Sequence, residues 1–484
     1  MSLVSALSIA TGGLANINSQ LGVVSQNVSN ANTAGYTREI GQQSALTAGG
    51  EGMGVRTGIT VRSVDAMLQA EASQQNATVA AMTVTSQALA AIDAAHGTPG
   101  QGNDLASLTG ALSDAFTTLS ADPSSTAEQT AVVTAAGSLA SGINGVAQAV
   151  GTQRQAAQDS LSQELTQLGA ALTTIGTLST QISTMTNEGT STAGLEDQRD
   201  AAMSTVAQLT GATFLNQANG TVQVILPSGT TLPTDGSATL QTADSQLSPQ
   251  TAAPPVMLNG RDITAQFTAG QIGANLALRD TVMPTFQAEL DEFSNNLTQR
   301  FSKAGLDLFT DPSPPAATAP PAQAAYLGLA NRIGVNPNVV KDPAQVQSGT
   351  GGTTVGTSDQ TVINKVLSQA FGPISASTAA APLVTGLGLS GRLFAPFAAP
   401  QTLASFAADV VSAQTSASSD AATNLTNAQA VQTTLNSKVA AVSGVSVDTE
   451  MSTMIGLQNA YAANARIITT VHDMWTTLLA MGTG

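Results

Sequence analysis

Apolar residues at Leu3, Leu7, Ala10, Leu14, Ile17, Leu21, Val24 and Val28 alternate spacings of four and three. That is an a/d heptad seam, and it predicts a long amphipathic helix at the start of the chain. The other face of this helix is Ser, Asn, Gln, Thr and Gly, and the first charged residue of the chain is Arg38. A helix packed only on its own core ordinarily carries Lys and Glu outward. The uncharged face therefore points to burial against several neighbours. A second seam of the same period runs through Met454, Leu457, Tyr461, Asn464, Ile468, Val471, Trp475 and Leu478. Asp448 is the expected N-cap of that helix, with Glu450 in its first turn, where the helix dipole favours a carboxylate. Leu425, Ala428, Val431, Leu435, Val439 and Val442 predict a preceding helix, and SGVS (443–446) supplies the break. The two seams are the candidate assembly interfaces.

Between the ends, Leu161, Leu165, Leu168, Leu172, Ile175 and Ile182 mark another long helix. The period then changes. GTVQVILPSGTTLPTDG (220–236) combines a β-rich run with Pro/Gly turn chemistry, so strands begin there. A helix returns over PTFQAELDEFSNNLTQRF (284–301), with Pro284 suited to a first turn. All 19 prolines lie between Pro99 and Pro400, which leaves both ends free for long helices. The expected class is α+β and multidomain: a helical coiled-coil or bundle domain made from both chain termini, with β-rich domains inserted between. The segments read as an N-terminal helix, turn and extended stretch (1–85), a helical segment (86–212), a β-rich insert (213–283), a returning helix (284–309), a Pro/Ala/Gly-rich, β-containing insert (310–400), and C-terminal helices pairing with the first (401–484).

Composition narrows the partners. Only 10% of the 484 residues are charged, against about 25% in an ordinary soluble domain, and a weakly charged surface suits subunit packing. A net charge of −16 removes the basic footprint that nucleic-acid binding needs. No uninterrupted apolar run reaches the roughly 18 residues of a membrane span, so no membrane partner is expected. A cleaved secretory signal is not expected either, because no basic segment precedes a compact apolar one. The chain has no cysteine, which removes disulfides and thiolate chemistry.

Catalytic, cofactor and metal sites are not expected. His96 and His472 are far apart and neither lies in an HExxH motif. Asp291 and Glu292 fall on a helical pattern, where a solvated face is the ordinary reading, and His472 reads as a packing or rim residue. The informative polar stretch is SNANTAGYTR (29–38). Asn30 and Asn32 can bond nearby backbone, Thr33 continues the polar turn, Gly35 permits positive φ, and Tyr36 can fold back onto the helix. Arg38 reads first as an exposed side chain and second as a partner for a neighbour's carboxylate.

Ser29, Asn30, Asn32, Thr33, Gly35, Tyr36, Thr37 and Arg38 resemble the N-terminal signature of bacterial flagellar axial proteins, with Ala34 where Pro is common. LQNAYAANARIITTVHDMWTTLLAMG (457–482) resembles their C-terminal signature. Residues 108–144, the LEDQRD helix (195–214) and residues 270–309 resemble segments of the hook-associated protein 1 family. Residues 310–400 resemble nothing nameable. The resemblance implies an extracellular structural subunit of the flagellum, joining hook to filament and secreted through the flagellar type III channel without a cleaved signal. It implies a ring of subunits as the assembly, hook protein on one side and hook-associated protein 3 on the other, and the export apparatus with an export chaperone as earlier partners. The alternatives are hook protein or another axial protein, and an outer-surface adhesin or binding module in residues 310–400.

Overall fold

The computed structural model describes residues 3–48, 51–97, 101–217, 219–313, 322–352, 354–374 and 381–482. Parts of the predicted 310–400 insert (314–321, 353 and 375–380) lie outside the described residues. The fold is α+β, with long helices at both ends and small sheets in the middle. The chain divides into two compact units. The terminal unit is Met1–Val79, Gln167–Thr239 and Ala428–Gly484, and the central unit is Ala80–Thr166 and Leu240–Asn427.

Helix α1 (Leu3–Asn30) of the terminal unit is followed by an antiparallel hairpin of β1 (Glu39–Ala48) and β2 (Glu51–Arg62). Helices α2 (Ala66–His96), α3 (Leu105–Ala121), α4 (Thr126–Asn187) and α5 (Ala193–Thr210) come next. A three-stranded antiparallel sheet then forms from β3 (Thr213–Asn216), β4 (Val222–Ile225) and β5 (Thr231–Leu232). Val222 and Val224 point to its buried side, as alternation requires. Gly176 on α4 is needed for close approach: a Cβ there would stand 1.8 Å from the carbonyl oxygen of Thr234.

The central unit continues through β6 (Leu240–Thr242), β7 (Val256–Leu258) and β8 (Arg261–Asp262), then α6 (Gly270–Ala277), a π turn (Leu278–Val282) and α7 (Met283–Lys303). The helical path therefore starts well before Pro284. The π turn explains how: the Met283 N–H reaches back to the Leu278 carbonyl, so the ladder already shifts register where proline offers no N–H. Pairs β9 (Phe309–Thr310) with β10 (Gly334–Val335), and β11 (Thr385–Leu387) with β12 (Leu393–Phe394), flank the short helices α8 (Pro337–Lys341), α9 (Gln345–Ser348) and α10 (Thr361–Lys365). Helices α11 (Leu403–Ser443) and α12 (Val447–Gly482) complete the chain.

The central core is organised on α7, whose Met283, Phe286, Leu290, Phe293, Leu297 and Phe301 are buried at helical spacing. Phe301 meets Phe309 at 5.3 Å and 84°, and Phe293 meets Phe406 of α11 at 5.4 Å and 87°, both edge-to-face. Helix α4 is long and apolar enough over one window to cross a membrane by length and composition. No such element was expected, because alanine and glycine extend the window between short apolar runs. Within the central unit its Val132, Leu139, Ile143 and Val150 are buried in the core.

Two further expectations are corrected. Asp291 and Glu292 of α7 are 0% and 3% exposed, not on a solvated face. Asp291 accepts from the Gly328 and Ala330 amides at 2.6 and 2.9 Å, and Glu292 accepts from the Tyr326 hydroxyl and the Leu383 amide. These carboxylates hold irregular backbone that has no ladder of its own. The N-cap of α12 is Ser446 rather than Asp448: its hydroxyl accepts from the Thr449 N–H, three residues on.

Candidate assembly site at the chain ends

Within the terminal unit α1 has two covered sides. Toward the hairpin, Asn16 Nδ2 donates to Gln43 at 2.7 Å, and Thr57 donates back to Asn16 Oδ1 at 3.2 Å. Toward α12, a Cβ at Gly13 would stand in ordinary contact with the Asn464 amide, 3.4 Å away. Much of the uncharged polar face read in the sequence stays exposed, including Ser8, Thr11, Asn18, Ser19, Ser25 and Gln26.

At the end of α1 the chain turns through residues 31–38. The Asn30 side chain donates to the Gln26 carbonyl and accepts from the Thr33 hydroxyl, and Gly35 takes φ +80. Asn32, Thr33 and Gly35 are exposed, while Asn30, Tyr36 and Arg38 are partly buried. The turn is closed by a residue that the pattern did not single out. Asn27, 1% exposed, accepts from the Tyr36 hydroxyl and the Glu39 amide at 2.9 Å each. Its own amide donates to the Glu39 carbonyl at 2.9 Å and to Glu450 Oε2 at 3.2 Å. Every donor and acceptor of the side chain is used.

Arg38 is neither free nor turned toward another molecule. It pairs with Glu450 of α12 at 2.7 Å, and Glu450 itself is 1% exposed. The turn thus ties the end of α1 to the start of α12. A second group of charges lies beside it, built from the LEDQRD helix. Arg62 at the end of β2 reaches Glu196, Asp197 and Asp200 of α5 at 2.8, 2.8 and 2.7 Å, and the Thr37 amide donates to Asp197. Two motifs read separately in the sequence therefore meet in one polar knot. Nothing short-range in the sequence links them, because their separation along the chain exceeds any helical or strand period.

The electrostatics fit a closed knot. Burial, then Glu39, Asp197 and Glu450, push the Tyr36 phenol above its ordinary range, so it remains a donor. Burial and then Asp197 raise the Glu39 carboxyl. Burial alone would lower Arg62, but Asp200, Asp197 and Glu196 outweigh it and hold the guanidinium charged.

The candidate seams divide. On α1, Ile17 and Val24 are buried, Leu3, Leu14, Leu21 and Val28 are partly buried, and Leu7 is exposed. On α12, Val471 is buried, and Met454, Leu457 and Ile468 are partly buried. Tyr461, Trp475 and Leu478 are exposed. Outside the predicted seam, α12 also exposes Ile455, Ile467, Met474, Leu479 and Met481. This second apolar side was missed because a single a/d stripe was assigned to the helix, whereas the last turns carry apolar residues on more than one face. Among the described residues no group of three or more His, Asp or Glu side chains could hold a metal ion.

The sequence matches the family described as flagellar hook-associated protein FlgK helical domain over residues 89–312. It matches the family described as flagellar basal body rod FlgEFG protein C-terminal over residues 438–481. No curated protein matches the chain. Among solved structures, the flagellar hook junction protein FlgK from Burkholderia pseudomallei is similar at 22% identity and a TM-score of 0.44, over 51% of this chain and 47% of that one. The chain thus spans about half the length of the solved protein it matches.

Proposed function

We propose, for a chain that belongs to the flagellar hook-associated FlgK family, the role of a structural subunit at the junction between hook and filament. The single observation that carries the mechanism is the set of exposed apolar residues on α12. Ile455 and Ile467 outside the seam, and Trp475 and Leu478 at its far end, remain between 44% and 60% exposed, while the earlier part of the seam lies on α1. Burying one such side chain contributes roughly 1.5–3 kcal/mol, so a few of them suffice to hold neighbouring subunits. On this reading the covered part of the seam closes the terminal unit, and the exposed apolar residues of α12 join it to other copies and to adjoining flagellar components. Hook protein and hook-associated protein 3 are the neighbours in this proposal. The route there is type III export with an export chaperone and without a cleaved signal.

The test is a pair of double variants in a strain that lacks the gene. Trp475→Asp with Leu478→Asp changes exposed positions, so the isolated chain should stay within about 0.5 kcal/mol of wild type in urea denaturation, yet filaments should be absent by electron microscopy. Leu14→Asp with Ile17→Asp strikes the covered seam of α1 and should lose both terminal-unit stability and filaments. Normal filaments on the Trp475/Leu478 variant would remove the exposed end of α12 from the assembly. Basal bodies without hooks in the deletion strain would move the role from the junction to the hook itself.

A further inference from the structure

Among the described residues, two carboxyl groups of the central unit each have a covered oxygen with no hydrogen-bond partner and no ion pair. Glu289 on α7 is 1% exposed; its Oε2 accepts from Gln414 of α11 at 2.9 Å, and its Oε1 has no partner. Glu164 on α4 accepts from Asn275 of α6 at 2.8 Å through Oε1, and its covered Oε2 has no partner. No ion pair reaches either residue. Gln414, 0% exposed, links Glu289 to a third titratable group, because its Oε1 lies 2.8 Å from His96 Nε2 at the end of α2. With the Gln414 amide donating to Glu289, its oxygen must accept, so His96 carries its proton on Nε2 and leaves the buried Nδ1 unpartnered.

The charged groups around this relay are few. Asp93 on α2 and Asp104 at the cap of α3 act on His96. Asp291 and Glu292, next to Glu289 on α7, are engaged by the Gly328 and Ala330 amides and by Tyr326 and Leu383. Gln414 is the group acting on Glu289 and Asn275 the group acting on Glu164. A carboxylate buried with one amide donor and no counter-charge is costly, and the neutral acid is the form such a site accepts.

We propose that the central unit is a pH-sensitive element, tightened in acid and loosened toward alkaline conditions by the buried carboxyl groups of Glu289 and Glu164. Burial pushes both carboxyls up to about 7, against the opposing hydrogen bonds from Gln414 and Asn275. Burial lowers His96, and the Gln414 hydrogen bond and the two aspartates only partly offset it. The signs then follow from proton linkage. A raised carboxyl binds its proton more tightly when folded, so its stabilisation is complete below the unfolded value near 4.5 and is lost as pH rises to about 7. A lowered imidazole works the other way, weakening the fold as pH falls below its ordinary value of 6.5. Burial also raises Asp291, up to about 7, and Glu292 in the same direction. Several carboxyls therefore oppose one histidine, the net trend is downward with pH, and above 6.5 the carboxyls act alone.

The experiment is urea denaturation and hydrogen exchange of the full chain between pH 5 and pH 8. Exchange, corrected for intrinsic rate, is read on peptides from α7 and from residues 156–166. Wild type should open on the order of a hundredfold more readily at pH 8 than at pH 5. Glu289→Gln with Glu164→Gln should reduce that dependence, leaving the part that Asp291 and Glu292 carry, and His96→Asn should steepen it. A wild-type profile that is flat or rises with pH overturns the proposal, as does an unchanged slope in the double glutamine variant. If that variant fails to fold, the wild-type profile and the sign of the His96→Asn effect decide the matter.

Discussion

The two compact units weight their ionised side chains differently, although Arg279–Asp280 and Arg332–Asp311 also pair in the central unit. In the terminal unit carboxylates meet arginines: Arg38 with Glu450, and Arg62 with Glu196, Asp197 and Asp200. In the central unit the charges mostly serve backbone. Arg300 donates to the carbonyls of Ala370, Gly372 and Gln401, and Arg154 to those of Arg279, Ser248 and Thr251. Asp291 holds two amides in the same manner. The difference follows from what each unit must satisfy. Long helices and a regular hairpin satisfy their own peptide groups, so charges are free to join one element to another. Short strands and turns leave peptide groups without partners, and a buried side chain must complete them.

That contrast can be broken experimentally, beginning where the effect should be largest. Asp291→Ala leaves the Gly328 and Ala330 amides and the Gln287 amide without their acceptor. It should cost on the order of 3–5 kcal/mol, read as a lower urea midpoint with hydrogen exchange accelerated in residues 322–335 and unchanged in α1. Equal acceleration in both units would show that the division into side-chain and backbone roles is wrong.

Glu450→Ala should come next. It removes the partner of Arg38 and one acceptor of Asn27. Arg38 is 30% exposed and can recover water, so the loss should be about 2 kcal/mol rather than that of a fully buried pair. Faster exchange at the start of α12 would check it, and Glu450→Gln should recover the Asn27 bond but not the charge pairing. The smallest effect should come from Gly35→Ala. Its φ of +80 costs an L-residue about 1 kcal/mol, although no neighbouring atom would obstruct the Cβ. A change within error would mean that the turn tolerates another backbone path and that the knot alone holds it.

Much of the architecture was legible in local pattern. The seams of α1 and α12, the break at 443–446, the onset of strands near residue 220 and the apolar face of α7 follow from periods of 3.5, 3.6 and 2. The purpose of the polar residues was less so. Asp291 and Glu292 looked like a solvated face because their sequence neighbours are polar, and the amides they hold lie 37 or more positions away. Arg38 looked exposed for the same reason, since Glu450 is separated from it by 412 residues.

By itself the sequence specified which stretches become helices, which of their sides are apolar, that cysteine chemistry plays no part, and which axial-protein signatures stand at the two ends. Each is a property of composition or of spacing within one element, where the backbone geometry is known in advance. Only the tertiary structure decided that Asn27 would be saturated by Tyr36, Glu39 and Glu450, that Arg62 would gather three carboxylates, that Glu289 and Glu164 would be enclosed without an ion pair, and which residues of α12 stay open. Those outcomes depend on distant segments arriving at one place, and a hydrogen bond or a buried charge is set by distance in space, to which the order of residues along the chain carries no local clue.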